Sequence, residues 1–230
     1  MAASKESADV RSVSSSQRAY DELRELLMRF ALLPNQKINE VMLAAQLHTS
    51  RTPLREALNR LVAEGLLNNQ GRGFSVPDLK PEVVRDLFEA RLEIECSTAR
   101  LACERASDED LKALSDFLTE SASESPNVSV DRLIELDIRF HDTIARLSQN
   151  QVLRSLLSNL NDRIHLIRWI AMEGRRDNTQ AQHRKILERI EARDKEGAAA
   201  AMRRHIIHRN DDILAAIKAA YGHVYTLSAV

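Results

Sequence analysis

Asp137 and His141 stand four residues apart in Asp137-Ile138-Arg139-Phe140-His141, so on a helix both project from one face, a turn apart. Downstream, His183 precedes Ile186, Leu187 and Ile190, and His205 is flanked by Met202, Ile206 and Ile207, spacing that turns both histidines toward an apolar core. Three helices could then aim one carboxylate and three imidazoles into the centre of a bundle. That donor set suits a borderline divalent ion (Zn²⁺, Ni²⁺, Mn²⁺ or Fe²⁺), and its lack of thiolates is unlike a closed structural zinc site. Spacing leaves alternatives open. Asp137 can pair with Arg139 or Arg132, a helical histidine is more often solvated or a satisfied core residue, and His165, His208 and His223 are rivals, His208 most of all because it follows His205 by one turn. Trp169, the only tryptophan, either lines such a pocket or is simply core, and Arg163 and Arg168 on the same helix are further pocket cations or ordinary surface residues.

A second constellation lies near the amino terminus. Arg51 and Arg55 are four apart at the start of a helical pattern, so their guanidinium forks emerge on one face, where they can meet guanine edges or phosphates. Ser50 and Thr52 add hydroxyls suited to phosphate oxygens. Arg72 sits between two glycines, a cation on backbone free to approach a groove closely. Alone, arginines at a helix start are common, and a two-helix corner is an ordinary packing unit.

The elements needed to position these groups are legible. Residues 1–13 are polar, Ser-rich and aperiodic, which predicts a disordered arm. The serine triplet 14–16 can cap a helix with Tyr20, Leu23, Leu26, Leu27 and Phe30 on one face, ended before Pro34. Two short helical patterns follow, 39–47 and 51–64, separated by His48-Thr49-Ser50; Ser50 is a candidate N-cap, Pro53 fits the first turn and Gly65 closes the second helix. Residues 66–70 and 74–76 flank Gly71-Arg72-Gly73 as a hairpin. From Pro81 onward the pattern is helical in about six segments, near 81–104, 108–123, 129–147, 150–173, 175–193 and 195–220. The expected fold is mainly α: an N-terminal winged helix-turn-helix at 14–77, a linker at 78–80, and a C-terminal antiparallel all-helical bundle at 81–222. In such a winged domain the third helix enters the major groove, with its first residues facing base edges.

Composition bounds the rest. Among 230 residues, 33 Lys and Arg face 34 Asp and Glu, a net charge of -1 that by itself argues for no polyanionic partner. The sum hides a division: residues 1–80 carry eleven cationic against nine acidic side chains, net +2, and the remainder is net -3. Six glycines and five prolines leave little material for turn-rich β architecture or for phosphate-cradling glycine loops. Neither a signal-type apolar segment nor a bilayer-length apolar run stands in the sequence, so a soluble cytoplasmic protein without membrane contact is expected. Cys96 and Cys103 are seven apart on one predicted helix, about 10 Å at the helical rise, beyond disulfide reach, and are read as buried small hydrophobes. A metal in a helical bundle also permits an enzyme, but no Glu stands three residues from a candidate histidine ligand to serve as acid or base.

The run Ile38-Asn39-Glu40, Leu43-Ala44, Leu47, Ser50-Arg51-Thr52-Pro53-Leu54-Arg55-Glu56-Ala57-Leu58, Leu61, Glu64-Gly65-Leu66-Leu67 and Gly71-Arg72-Gly73 resembles the DNA-binding domain of the GntR family of bacterial regulators. The resemblance implies operator contacts by Ser50, Arg51, Thr52 and Arg55, with Gly71 and Arg72 at the wing. The sequence departs at Val41, where many members have arginine, and at His48, where the turn usually has glycine. The helical half resembles the FCD effector domain of the FadR subfamily. That likeness implies a metal on Asp137, His141, His183 and His205 that helps hold a small carboxylate, an organic or sugar acid. It also puts Arg91 where an arginine commonly meets the effector carboxylate; a buried guanidinium is always charged and can fork two hydrogen bonds onto that group. The expected protein is therefore a homodimeric, ligand-responsive regulator, a repressor on double-stranded palindromic operator DNA. The alternatives are a metal-dependent enzyme and a regulator with a metal-free pocket.

Overall fold

The computed structural model describes residues 14–29, 31–69, 71, 73–78, 80–123, 128–165, 167 and 179–207. The chain divides into two compact units between Asp78 and Leu79, each built around its own apolar cluster.

The first unit begins with α1 (Ser15–Met28), capped by Ser14, whose Oγ accepts from the Gln17 amide at 3.1 Å. Its buried face, Ala19, Tyr20, Leu23 and Leu27, packs on α3 (Arg51–Ala63) through Leu54, Ala57, Leu58 and Leu61. Between them lies α2 (Glu40–Gln46), started by Asn39, which accepts from the Val41 and Met42 amides at 3.1 Å each. The α2–α3 turn runs through His48 at φ 47°, a left-handed conformation that disfavours a side chain. Gly65 takes φ 75° just past α3, and Leu66 and Leu67 then drop into the core rather than extending a strand.

The hairpin is shorter than the sequence predicts. β1 (Asn68–Asn69) pairs antiparallel with β2 (Phe74–Ser75) in the register Asn68↔Ser75 and Asn69↔Phe74. A partner absent from the sequence reading supports it: Ile38 donates to the Phe74 carbonyl and Val76 to the Gln36 carbonyl, each at 2.9 Å, with a bridge between Lys37 and Ser75. The segment before α2 thus forms the wing's other edge, which a polar stretch after Pro34 does not announce by periodicity. Within the loop, Gly71 (φ 76°) and Gly73 (φ 113°) occupy backbone that L side chains rarely adopt, and Asn69 Oδ1 accepts from the Gly71 amide.

The second unit carries α4 (Pro81–Arg105), α5 (Asp108–Ala122), α6 (Val130–Leu147), α7 (Gln151–Arg163), α8 (Thr179–Glu191) and α9 (195–207). Ser107, Ser129 and Asn150 cap α5, α6 and α7 with side-chain oxygens, and α5 opens on Asp108, Glu109 and Asp110, favourable to its dipole. The fourth predicted segment is described as regular helix only to Arg163, and the remainder to 173 lies mostly outside the described residues. Helix α4 packs against α6, α7 and α8, and Cys96 Sγ donates to the Ala199 carbonyl of α9 at 3.4 Å. Both cysteines are buried and free, and burial raises both thiols, Cys103 to about 11. No helix among the described residues is long and apolar enough to cross a membrane.

Candidate metal centre and nucleic-acid interface

The polar centre of the second unit is assembled from three helices. Helix α6 supplies Asp137 and His141 from its buried face, α8 supplies His183 and α9 supplies His205. All four are buried, and one donor atom from each lies within 4.8 Å of every other. His141 Nε2 stands 3.2 Å from His205 Nε2 and 3.7 Å from Asp137 Oδ1, and His183 Nε2 stands 3.5 Å from the same oxygen. Two donors bound tetrahedrally at about 2.1 Å from an ion are about 3.4 Å apart, so these spacings fit shared coordination.

The outward ring nitrogens explain why the Nε2 atoms face inward. His141 Nδ1 bonds to the Glu95 carboxylate, and His205 Nδ1 lies 2.7 Å from Gln182 Oε1. An amide carbonyl and an ionised carboxylate only accept, so these partners favour Nδ1–H on each ring with Nε2 turned toward the cluster. His183 is set by Phe140, stacked on its ring at 3.9 Å. Burial, reinforced by His183 and His141, pushes His205 well below the ordinary imidazole value, so it is neutral near pH 7. Two Nε2 atoms 3.2 Å apart beside a buried carboxylate and a third imidazole make a donor set whose chemistry fits a divalent cation.

Arg91 lies next to this centre. Its Nε donates to Glu95 Oε1, one turn along α4, while its Nη2 is buried and has no hydrogen-bond partner among the described residues. A guanidinium with an unsatisfied buried donor fits an anion.

In the first unit, Ser50, Arg51, Thr52 and Arg55 are all exposed at the start of α3. Ser50 takes the N-cap backbone position without a side-chain cap bond, which leaves its hydroxyl for another partner. Arg51, Thr52 and Arg55 join Glu40 and Val41 of α2 around an open concavity of about 480 Å³. Arg55 Nε reaches Glu40 Oε2 at 3.4 Å. Val41 is 59% exposed and Met42 69%, an apolar edge beside the arginines.

Residues 15–76 match the family described as bacterial regulatory proteins of the gntR family, and residues 86–208 match the FCD domain. The chain belongs to the GntR family and carries an FCD domain. Its curated relatives include the Nta operon transcriptional regulator of Aminobacter aminovorans, 41% identical over 84% of this chain and 91% of that one. The putative L-lactate dehydrogenase operon regulatory protein of Escherichia coli is 31% identical over 83% of each chain. Among solved structures, E. coli McbR/YncC has a TM-score of 0.72 at 25% identity, covering 88% of this chain and 98% of that one. These families and relatives are transcription regulators, not enzymes, and the gntR domain implies DNA binding.

In this GntR chain the four predicted donors and Arg91 come together in the FCD domain. Arg72, Trp169, Arg168, His208 and His223 lie outside the described residues. His165 is not in the donor cluster found among the described residues, and Arg163 is only part-buried at the end of α7. Sequence reading missed Glu95, Gln182 and Glu40. Glu95 was hidden among the charges of Glu89-Ala90-Arg91-Leu92-Glu93-Ile94-Glu95; its spacing of four from Arg91 was the available signal.

Proposed function

We propose that this GntR/FCD chain is a cytoplasmic, ligand-responsive repressor that binds a palindromic operator as a homodimer. Its domains run over residues 14–77 and 81–222, joined by 78–80. Ser50, Arg51, Thr52 and Arg55 contact the operator from α3, with Gly71 and Arg72 at the wing. A divalent ion held by Asp137, His141, His183 and His205 and the Arg91 guanidinium together take a small organic or sugar acid, with Trp169 beside it. When bound, the ion supplies a positive centre for the effector's oxygens; the chain's own part is to orient the donors and keep water out.

The observation that carries the reading is the buried convergence of four metal-type donors with a guanidinium whose Nη2 lacks a hydrogen-bond partner among the described residues. The likeness to the putative L-lactate dehydrogenase operon regulatory protein supports a small carboxylate as the effector class. Effector binding would then change how the two winged domains of a dimer match their half-sites.

Elemental analysis of purified protein tests the metal: near-stoichiometric divalent metal, lost in His183→Ala, is expected, and equal metal content in both refutes it in favour of a metal-free pocket. A thermal-shift screen against organic and sugar acids tests the effector, because a ligand that binds only the folded state raises the midpoint. No shift with any carboxylate counts against the role of Arg91.

A further inference from the structure

One carboxylate serves two sites in the helical domain. Glu95 is buried, bonding through Oε1 to Arg91 Nε and through Oε2 to His141 Nδ1. The first partner carries the Nη2 that lacks a hydrogen-bond partner among the described residues; the second presents Nε2 to the donor cluster. We propose that Glu95 is a positioning residue that couples the anion site at Arg91 to the metal site at His141. This rests on the metal reading above.

The coupling follows from sharing. A carboxylate that accepts from the outward N–H of an imidazole fixes the tautomer and makes the inner nitrogen a better donor. Glu95 divides its charge between this task and the Arg91 guanidinium. An anion that draws Arg91 toward itself leaves more of the carboxylate to His141, and the metal is held more tightly. Linkage makes the effect reciprocal, so an occupied metal site raises anion affinity by the same factor. Gln182, the group behind His205, is a neutral amide with no charge to divide, and gives no such link. Regulation is then an AND condition, full anion affinity requiring the metal.

The test uses Zn²⁺ alone, titrated into the metal-free full-length protein against a chromophoric chelator. Arg91→Met stands in for an anion that removes the guanidinium from Glu95. Glu95→Gln should weaken Zn²⁺ about 10- to 100-fold. Arg91→Met should tighten Zn²⁺ by about fivefold or more in the wild-type background and change it by less than about twofold in the Glu95→Gln background. Equal shifts in both backgrounds, zero included, overturn the coupling, as does wild-type affinity in Glu95→Gln. Wild-type protein that binds Zn²⁺ no better than His183→Ala removes the metal reading itself, a different result. Circular dichroism checks that the variants fold, with Glu95→Ala and Arg91→Gln, which likewise remove the charge, replacing any that do not. Independently of metal, ¹⁵N correlation spectra of the histidine rings should show His141 as the Nδ1–H tautomer in wild-type protein; the Nε2–H tautomer overturns the proposal.

Discussion

At the scale of single residues, chemistry depends on which atom a neighbour leaves available. His141 and His205 are ligand-like because Glu95 and Gln182 hold their outer nitrogens, and His183 because its Nε2 lies 3.5 Å from Asp137 Oδ1 while Phe140 fixes the plane of its ring. His48 shows the opposite case, a side chain tolerated where backbone strain disfavours it. At φ 47° it carries a left-handed conformation that glycine adopts without penalty. His48→Gly should therefore raise stability by about 0.5–1 kcal/mol, read as a higher denaturation midpoint. An unchanged or lower midpoint would mean that the imidazole itself contributes to the turn. The sequence marks His48 only as a departure from the family resemblance, and the cause of the strain is visible only in the dihedral.

At the scale of elements, α1 holds α3 in place by more than apolar contact. Tyr20 Oη donates to Glu64 Oε2 at 2.7 Å, and the Arg60 guanidinium lies 3.7 Å from the Tyr20 ring centroid. Burial first, and then the bond to Glu64, raises the phenol to about 12. Because the folded value exceeds the unfolded value of about 10, the unfolded chain loses this proton first as pH rises. The stabilisation is complete below about pH 10 and is lost between about 10 and 12. Tyr20→Phe should cost about 1 kcal/mol at neutral pH and flatten the alkaline fall of the melting midpoint; an identical alkaline limb in the variant would refute the assignment. Helix α3, in turn, presents Arg55 already engaged by Glu40. An exposed pair of this kind adds under about 1 kcal/mol, so its meaning is orientation of a guanidinium rather than stability.

At the scale of the whole molecule, a net charge of -1 coexists with a surface on which Arg51 and Arg55 face one way. Binding to mixed-sequence duplex should weaken as salt rises, and Arg51→Ala should reduce the salt slope by about one if that arginine meets phosphate. An unchanged slope with relaxed preference among selected duplexes would assign Arg51 to a base edge instead. Spacing alone left the metal-type donors open among several histidines. What the sequence determined by itself was local: helix positions from apolar periodicity, helix starts near Ser14, Asn39, Ser107 and Ser129, the turn at Gly65 and the wing at Gly71 and Gly73. Those are set by interactions within a few residues, which composition and spacing encode directly. Only the tertiary structure decided that His141 and His205, 64 residues apart, meet at 3.2 Å, and that Ser75 and Val76 find a partner in residues 36–37. It alone separated Glu95 from the many ordinary charges of a helix surface, because its side chain and that of Arg91 are both buried. The physical reason is that desolvation and convergence belong to helices packed together, not to any one of them.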